Sequence, residues 1–147
     1  MEGSATVAQV LRGKSGQVRS IAPEATVFEA LAVMAEYDIG ALPVVRHGRL
    51  VGIVSERDYS RKVILKGRAS RDTRVEEVMT PDPVTVDPKR TVNDCMQMMT
   101  DLRVRHLPVL DDGQMVGIVS IGDVVKSTID EQAFLIEQLQ GYIQGTR

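Results

Sequence analysis

Apolar residues in the first half of the chain follow two rhythms. Val27, Ala30, Leu31 and Met34 fall at the i, i+3, i+4, i+7 spacing of a helix with one buried face, whereas Leu42 to Val45 and Leu50 to Val54 are continuous apolar runs of strand length. His47-Gly48 splits those runs, and a break of that kind predicts a β-hairpin. The second half repeats the scheme. Val92, Cys95, Met96 and Met99 take the helical spacing, and Asp112-Gly113 splits a second pair of apolar runs.

The repetition is literal. A shift of 65 positions lays Pro23 on Pro88, Thr26 on Thr91, Leu42-Pro43-Val44 on Leu107-Pro108-Val109, and Val51-Gly52-Ile53-Val54-Ser55 on Val116-Gly117-Ile118-Val119-Ser120. No gap is needed from about residue 18 to about residue 64, and each copy keeps an aspartate three places past the serine, Asp58 and Asp123. The chain is therefore a tandem duplication.

Each copy reads as strand, helix, strand, strand, helix. Val18 to Ile21 and Val84 to Val86 are the predicted first strands, ended by Pro23 and Pro88. Thr26-Val27-Phe28-Glu29 is a capping box opening the first helix, and Thr91-Val92-Asn93-Asp94 repeats it with a shorter acid. Ser55 and Ser120 stand where the third strand stops and the closing helix starts, a natural place for an N-cap. The polar stretch from Lys66 to Pro83 joins the copies, with one or two helical turns over Val75 to Met79 leading into copy two. Val7, Val10 and Leu11 predict a matching lead-in helix for copy one. Ile129, Ala133, Ile136, Leu139 and Ile143 predict a further amphipathic helix from Ile129 to Ile143, with an exposed half suited to a partner. The division along the chain is thus 5–66, 67–130 and 131–147.

Bulk properties narrow the function. At 147 residues two half-sized repeats have to share one core. With 18 basic and 20 acidic side chains no global field draws the chain to nucleic acid or an anionic membrane. Met1-Glu2-Gly3-Ser4-Ala5-Thr6 does not open a secretory signal, and no apolar run approaches the ~20 residues of a membrane span, so a cytoplasmic location is expected. The single cysteine, Cys95, reads as a small core residue, and two histidines at unlike points of the repeat, His47 and His106, make no metal site. A Walker-type glycine loop, a nucleophile with a histidine base and paired carboxylates on one helix face are all missing, so an enzyme is not expected.

With Leu-Pro-Val at the second strand, Val-Gly-Ile-Val-Ser at the third and Ser-x-x-Asp at the closing helix, all in one register in both copies, the chain resembles a pair of CBS domains, named after cystathionine β-synthase. Small stand-alone proteins made of little besides the pair are the best likeness, through Ser55-Glu56-Arg57-Asp58-Tyr59 and Arg105-His106-Leu107-Pro108. The resemblance implies an α/β fold of two βαββα repeats packed about a pseudo-twofold axis, with flanking N- and C-terminal helices, two clefts, and association into a homodimer. It also implies an adenosine-containing ligand such as AMP, ADP, ATP or NAD, bound without being a catalytic cofactor. The expected function is a regulatory sensor acting through a separate effector protein. The alternative is a ligand-free dimerisation scaffold.

Site residues follow on the same footing. Ser55, Asp58, Ser120 and Asp123 would hold ribose, since a carboxylate in the first helical turn accepts from two neighbouring hydroxyls. Ser-x-x-Asp is equally a plain capping pattern. Arg105 and His106 match family phosphate contacts, whereas copy one has Gly40 and Ala41 there, so the clefts are not equivalent. Arg57 and Arg61, with Lys62 beside them, are further phosphate candidates or else a solvated helix face. Adenine would lie among Val18, Ile21, Val84, Val86, Ile53 and Ile118, with Thr80 touching the nucleoside or merely ending the lead-in helix. At 3% aromatic content and without tryptophan, aliphatic packing has to hold the base.

Overall fold

The computed structural model describes residues 5–14 and 18–145, with side chains as far as Gly141. The elements run α1 (Val7–Arg12), α2 (Val27–Tyr37), β1 (Ala41–Arg46), β2 (Arg49–Ser55), α3 (Glu56–Lys62), α4 (Val75–Val78), β3 (Thr80–Pro81), α5 (Val92–Leu102), β4 (His106–Asp111), β5 (Gln114–Ser120) and α6 (Ile121–Gly145). Two single 3₁₀ turns, Ile64–Lys66 and Ser70–Asp72, fill part of the connector before α4.

Local chemistry accounts for the element ends. Thr26 Oγ1 accepts from Glu29 N at 3.1 Å and Thr91 Oγ1 from Asp94 N at 3.0 Å, so both long repeat helices start where the threonines stand. They stop on equivalent residues too, Asp38 and Arg103, each left-handed with its N–H bonded back to the last turn. In the hairpins His47 and Gly48, and likewise Asp112 and Gly113, all have positive φ, the pairing of a two-residue turn whose twist suits antiparallel strands.

The single shared core expected from the length does not form: the chain divides into two compact units, each with its own hydrophobic cluster. The first-repeat unit gathers the described residues of 17–84 with 113–115, and the second-repeat unit those of 1–16, 85–112 and 116–147. In the first, Val27, Ala30 and Met34 of α2 pack with Leu42, Val44, Val54, Val63, Val75 and Val78. In the second, Val7 of α1 and Val92, Cys95 and Met99 of α5 pack with Val86, Leu107, Val109, Val119 and Val124.

These cores show that the lead-in segments are exchanged between repeats. Val7 N donates to Arg90 O at 2.8 Å, Ala8 N to Pro88 O at 2.9 Å, and Val92 N to Ala5 O at 2.8 Å, tying α1 to the repeat that follows it by some eighty residues. The same three bonds recur in the other unit as Val75 N to Ala25 O, Glu76 N to Pro23 O and Val27 N to Thr73 O. Helix α1 therefore serves copy two and α4 serves copy one, the reverse of the order in which each lead-in meets a repeat along the chain. Two glycines lie close against the segments that the lead-in helices bring in. A Cβ on Gly117 would stand 2.7 Å from Leu11 Cδ2, and one on Gly52 2.5 Å from Met79 Sδ.

Three further expectations are corrected. The predicted first strands reduce to single parallel bridges, Ile21 with Val44 and Val86 with Val109, because Pro23 and Pro88 leave too few residues for a ladder. Thr80 does not belong to copy two: it lies in β3, paired antiparallel with Ile53 of β2. The closing helix of copy two and the amphipathic tail are one continuous 25-residue helix, α6, since nothing between Ile121 and Gly145 breaks it.

Candidate functional site

Both Ser-x-x-Asp motifs form reciprocal caps. At α3, Ser55 Oγ accepts from Asp58 N at 3.3 Å while Asp58 Oδ2 accepts from Ser55 N at 2.8 Å and lies 3.1 Å from Ser55 Oγ. At α6, Ser120 Oγ accepts from Asp123 N at 3.1 Å and Asp123 Oδ2 from Ser120 N at 2.9 Å. The backbone locks each helix start onto the strand beside it, through Glu56 N to Gly40 O at 3.1 Å and Ile121 N to Arg105 O at 2.9 Å.

A lysine sits on each aspartate, and here the copies part. Lys62, one turn along α3, reaches Asp58 Oδ1 at 3.1 Å and Val78 O at 2.9 Å. Both oxygens of Asp58 are thereby engaged, and Lys62, a phosphate candidate in the sequence, is turned to its own carboxylate. In the second-repeat unit the lysine is Lys14, just past α1, which donates to Asp123 Oδ2 at 2.8 Å and Ile118 O at 2.9 Å. The Lys14 ammonium and the Ser120 N–H both converge on Oδ2. Sequence reasoning missed Lys14 because no motif surrounds it, and only the exchange of α1 brings it to Asp123.

Arg105 and His106 belong to the same neighbourhood. Burial first, then the charge of Lys14, pushes the His106 imidazole below its ordinary pKa, against the opposing pull of Asp123 and with Arg105 adding to the lowering. The cluster of Lys14, Arg105, His106 and Asp123 thus holds two fixed cations, a neutral imidazole and one carboxylate. Burial works against the Asp123 charge, but the Lys14 hydrogen bond, the Ser120 N–H and the Lys14 charge together outweigh it and hold the carboxyl below the usual aspartate range.

The remaining candidates divide between the units. Val18, Ile21, Ile53, Thr80 and Val84 lie with Ser55, Asp58, Arg57 and Arg61 in the first-repeat unit, and Val86 and Ile118 with Ser120 and Asp123 in the second. Ile21, Ile53 and Ile118 are half-buried, and Val18, Val84, Arg57 and Arg61 exposed. Val86 is 4% exposed among Val7, Val92 and Val109, so its side chain belongs to the core.

A cavity of about 630 Å³ opens between α1 and α6, lined by Gln9, Val10, Lys14, Asp123, Lys126 and Phe134 among others. Of the sequence-predicted site residues only Asp123 reaches its wall. Among the described residues no group of three His, Cys, Asp or Glu side chains is placed to hold a metal ion, and no helix is long and apolar enough to cross a membrane.

Comparison with known proteins gives consistent results. The CBS domain family model matches twice, over residues 14–64 and 75–130. The CBS domain-containing protein CBSX3, mitochondrial, of Arabidopsis thaliana is 41% identical over 151 aligned residues, covering 97% of this chain and 73% of that protein. A solved structure of a protein with CBS domains from Burkholderia ambifaria superposes with a TM-score of 0.84 at 47% identity, over 87% of this chain and 96% of the other. The hexameric CBS-CP12 protein from bloom-forming cyanobacteria matches with a TM-score of 0.75 at 27% identity, over 83% of this chain and 71% of the other.

Proposed function

The chain belongs to the CBS-domain family, carrying that domain twice, and from this premise we propose that it is a regulatory module that senses adenine nucleotides and relays their presence to a separate protein. Members of the family are generally regulatory modules that bind adenosine ligands. The observation that carries the reading is the cluster at the start of α6. Asp123 is kept charged with its contacts gathered on Oδ2, and its other oxygen suits the two vicinal hydroxyls of a ribose. Arg105 supplies positive charge for phosphates and His106 an N–H donor, while Lys14 is held by Asp123 and the Ile118 carbonyl. Ile118, half-buried at the end of β5, offers an aliphatic surface for the base. In the first-repeat unit Asp58 has both oxygens engaged and Gly40 and Ala41 stand in place of the cations, so that cleft is the weaker one.

Such a ligand acts by favouring whichever arrangement of the module it binds better, and the nucleotide leaves unchanged. The hexameric relative supports self-association for this chain as well. The competing reading, a ligand-free scaffold, draws on Ser-Asp caps that are complete without any ligand.

Titration of the full chain with AMP, ATP and NAD, read by thermal unfolding and calorimetry, decides between them. The sensor reading expects a melting temperature that climbs with ligand as RT ln(1 + [L]/Kd), and a loss of at least about tenfold in affinity for Asp123→Asn against a small loss for Asp58→Asn. No response to any of the three leaves the scaffold. Conversion of ATP or NAD on incubation would instead point to an enzyme.

A further inference from the structure

The outer face of α6 carries a heptad pattern that the rest of its own unit does not cover. Val125, Gln132 and Leu139 recur every seven residues, as do Ile129 and Ile136, and alternate steps of four and three join the two series into one seam. The sequence continues the register at Ile143. The seam points away from the core. Val124 is 0% exposed, whereas Val125, Ile129, Ile136 and Leu139, with Ile121 and Leu135 at the margin, are between 46% and 63% exposed. The cavity against α1 lies on another side of the helix, lined by Asp123, Lys126, Ser127, Asp130 and Phe134.

We infer that this seam is a self-association surface, on which α6 of one copy pairs in parallel with α6 of a second copy as a two-stranded coiled coil. The inference rests on the self-association part of the proposed function and is independent of its nucleotide part.

The core residues select the partner. Ile129 and Ile136 take the position where β-branched side chains favour two strands in parallel, and Leu139 the position where leucine does. Gln132 is the one polar residue in the seam and meets its own counterpart only if the helices lie in register. Charge permits the pairing: of the flanking positions from Lys126 to Gln140 only Lys126 is charged, the others being Thr128, Ala133, Leu135 and Gln140 itself, so no like charges face each other across the seam. The area is sufficient. Six half-exposed aliphatic residues leave roughly 100 Å² each open to water, so two copies bring together roughly 1,200 Å², above the roughly 1,000 Å² that a stable interface needs. From Val125 to Gly145 the helix is about 30 Å long, nearly three heptads growing from a folded base.

Sedimentation equilibrium of the full chain tests this. The wild type is expected to be a dimer at micromolar concentration, and Ile129→Glu with Ile136→Glu to weaken it about a hundredfold or more, since two charges would be buried per helix. Both positions are exposed in the single chain, so an unchanged unfolding curve for a dilute, monomeric sample will show that the double variant still folds. Gln132→Leu is expected to tighten the dimer, as a solvated surface position would not. Leu139→Cys is expected to form an intermolecular disulfide on mild oxidation, with the wild type as control because Cys95 is buried. A monomeric wild type overturns both this inference and the self-association on which it rests. A dimer indifferent to the double substitution, a trimer, or a Leu139→Cys variant that fails to cross-link overturns the parallel seam alone.

Discussion

Lys14 and Asp123, 109 residues apart, form an ion pair 2.8 Å long whose lysine also donates to the Ile118 carbonyl at 2.9 Å. One ammonium group thus ties the end of the α1 segment to the last turn of β5 and the first turn of α6. The pair, with the Ser120 N–H, also pulls the Asp123 carboxyl below its ordinary range against the opposing effect of burial.

Replacing Lys14 removes what offsets that burial. In Lys14→Met the pKa of Asp123 is expected to rise, which carboxyl-carbon NMR titration measures directly. Because the folded pKa is depressed, the stabilisation is present above the unfolded value of about 3.9 and is lost as pH falls through the folded one. In the variant the folded pKa moves back towards the unfolded one, so less stability is lost on acidification. Lys14 is 39% exposed, so the cost at neutral pH is modest, about 1 kcal/mol. A variant whose Asp123 titrates as in the wild type would remove Lys14 from the site.

The exchanged lead-in helices yield a matched pair of substitutions. Val7 and Val75 are each 0% exposed and occupy equivalent positions in their units. Val7→Ala and Val75→Ala are each expected to cost about 2 kcal/mol in chemical denaturation. Were α1 merely a tail, Val7→Ala would cost nothing measurable.

Gly52 and Gly117 should not tolerate alanine equally. At Gly117 the new methyl would meet Leu11, a flexible side chain free to shift, but at Gly52 it would also stand 3.0 Å from the Thr80 backbone oxygen in the β2–β3 pairing. Gly52→Ala is expected to lower stability by about 1–3 kcal/mol and Gly117→Ala by less. Equal melting temperatures for the two variants would contradict the close approach of β3.

His106 predicts a pH dependence of the same sign as that of Asp123, higher on the pH scale. Its folded pKa lies below the unfolded value of about 6.5, so the unfolded chain takes up the proton first. Stability is therefore unaffected by this group well above about 6.5 and is lost as pH falls from there towards the folded value. Denaturation midpoints between about pH 5 and 8 should fall on acidification in the wild type and less steeply in His106→Gln. Parallel curves would place the imidazole in water.

Much of this fold is legible in the sequence, and the legible part is local. Thr26 and Thr91 start their helices, His47-Gly48 and Asp112-Gly113 turn their hairpins, and Ser55 and Ser120 cap theirs, because each outcome depends on residues within four positions. The duplication, and with it the CBS family, can be read for the same reason: a 65-residue period needs only the chain laid against itself.

What the tertiary structure decided is non-local. No rhythm in Val7, Val10 and Leu11 tells which repeat they will join, since either offers an apolar face; the bonds to Pro88 and Arg90 settle it. Lys14 reaches Asp123 only as a consequence, and Lys62, already an i, i+4 neighbour of Asp58, reaches the Val78 carbonyl only through the packing of α4. Thr80 changed sides because a two-residue strand carries too little pattern to announce its partner. Local hydrogen bonding wrote the elements into the sequence, whereas their assortment into two cores depends on contacts between residues far apart in the chain, for which a single sequence holds no periodic sign.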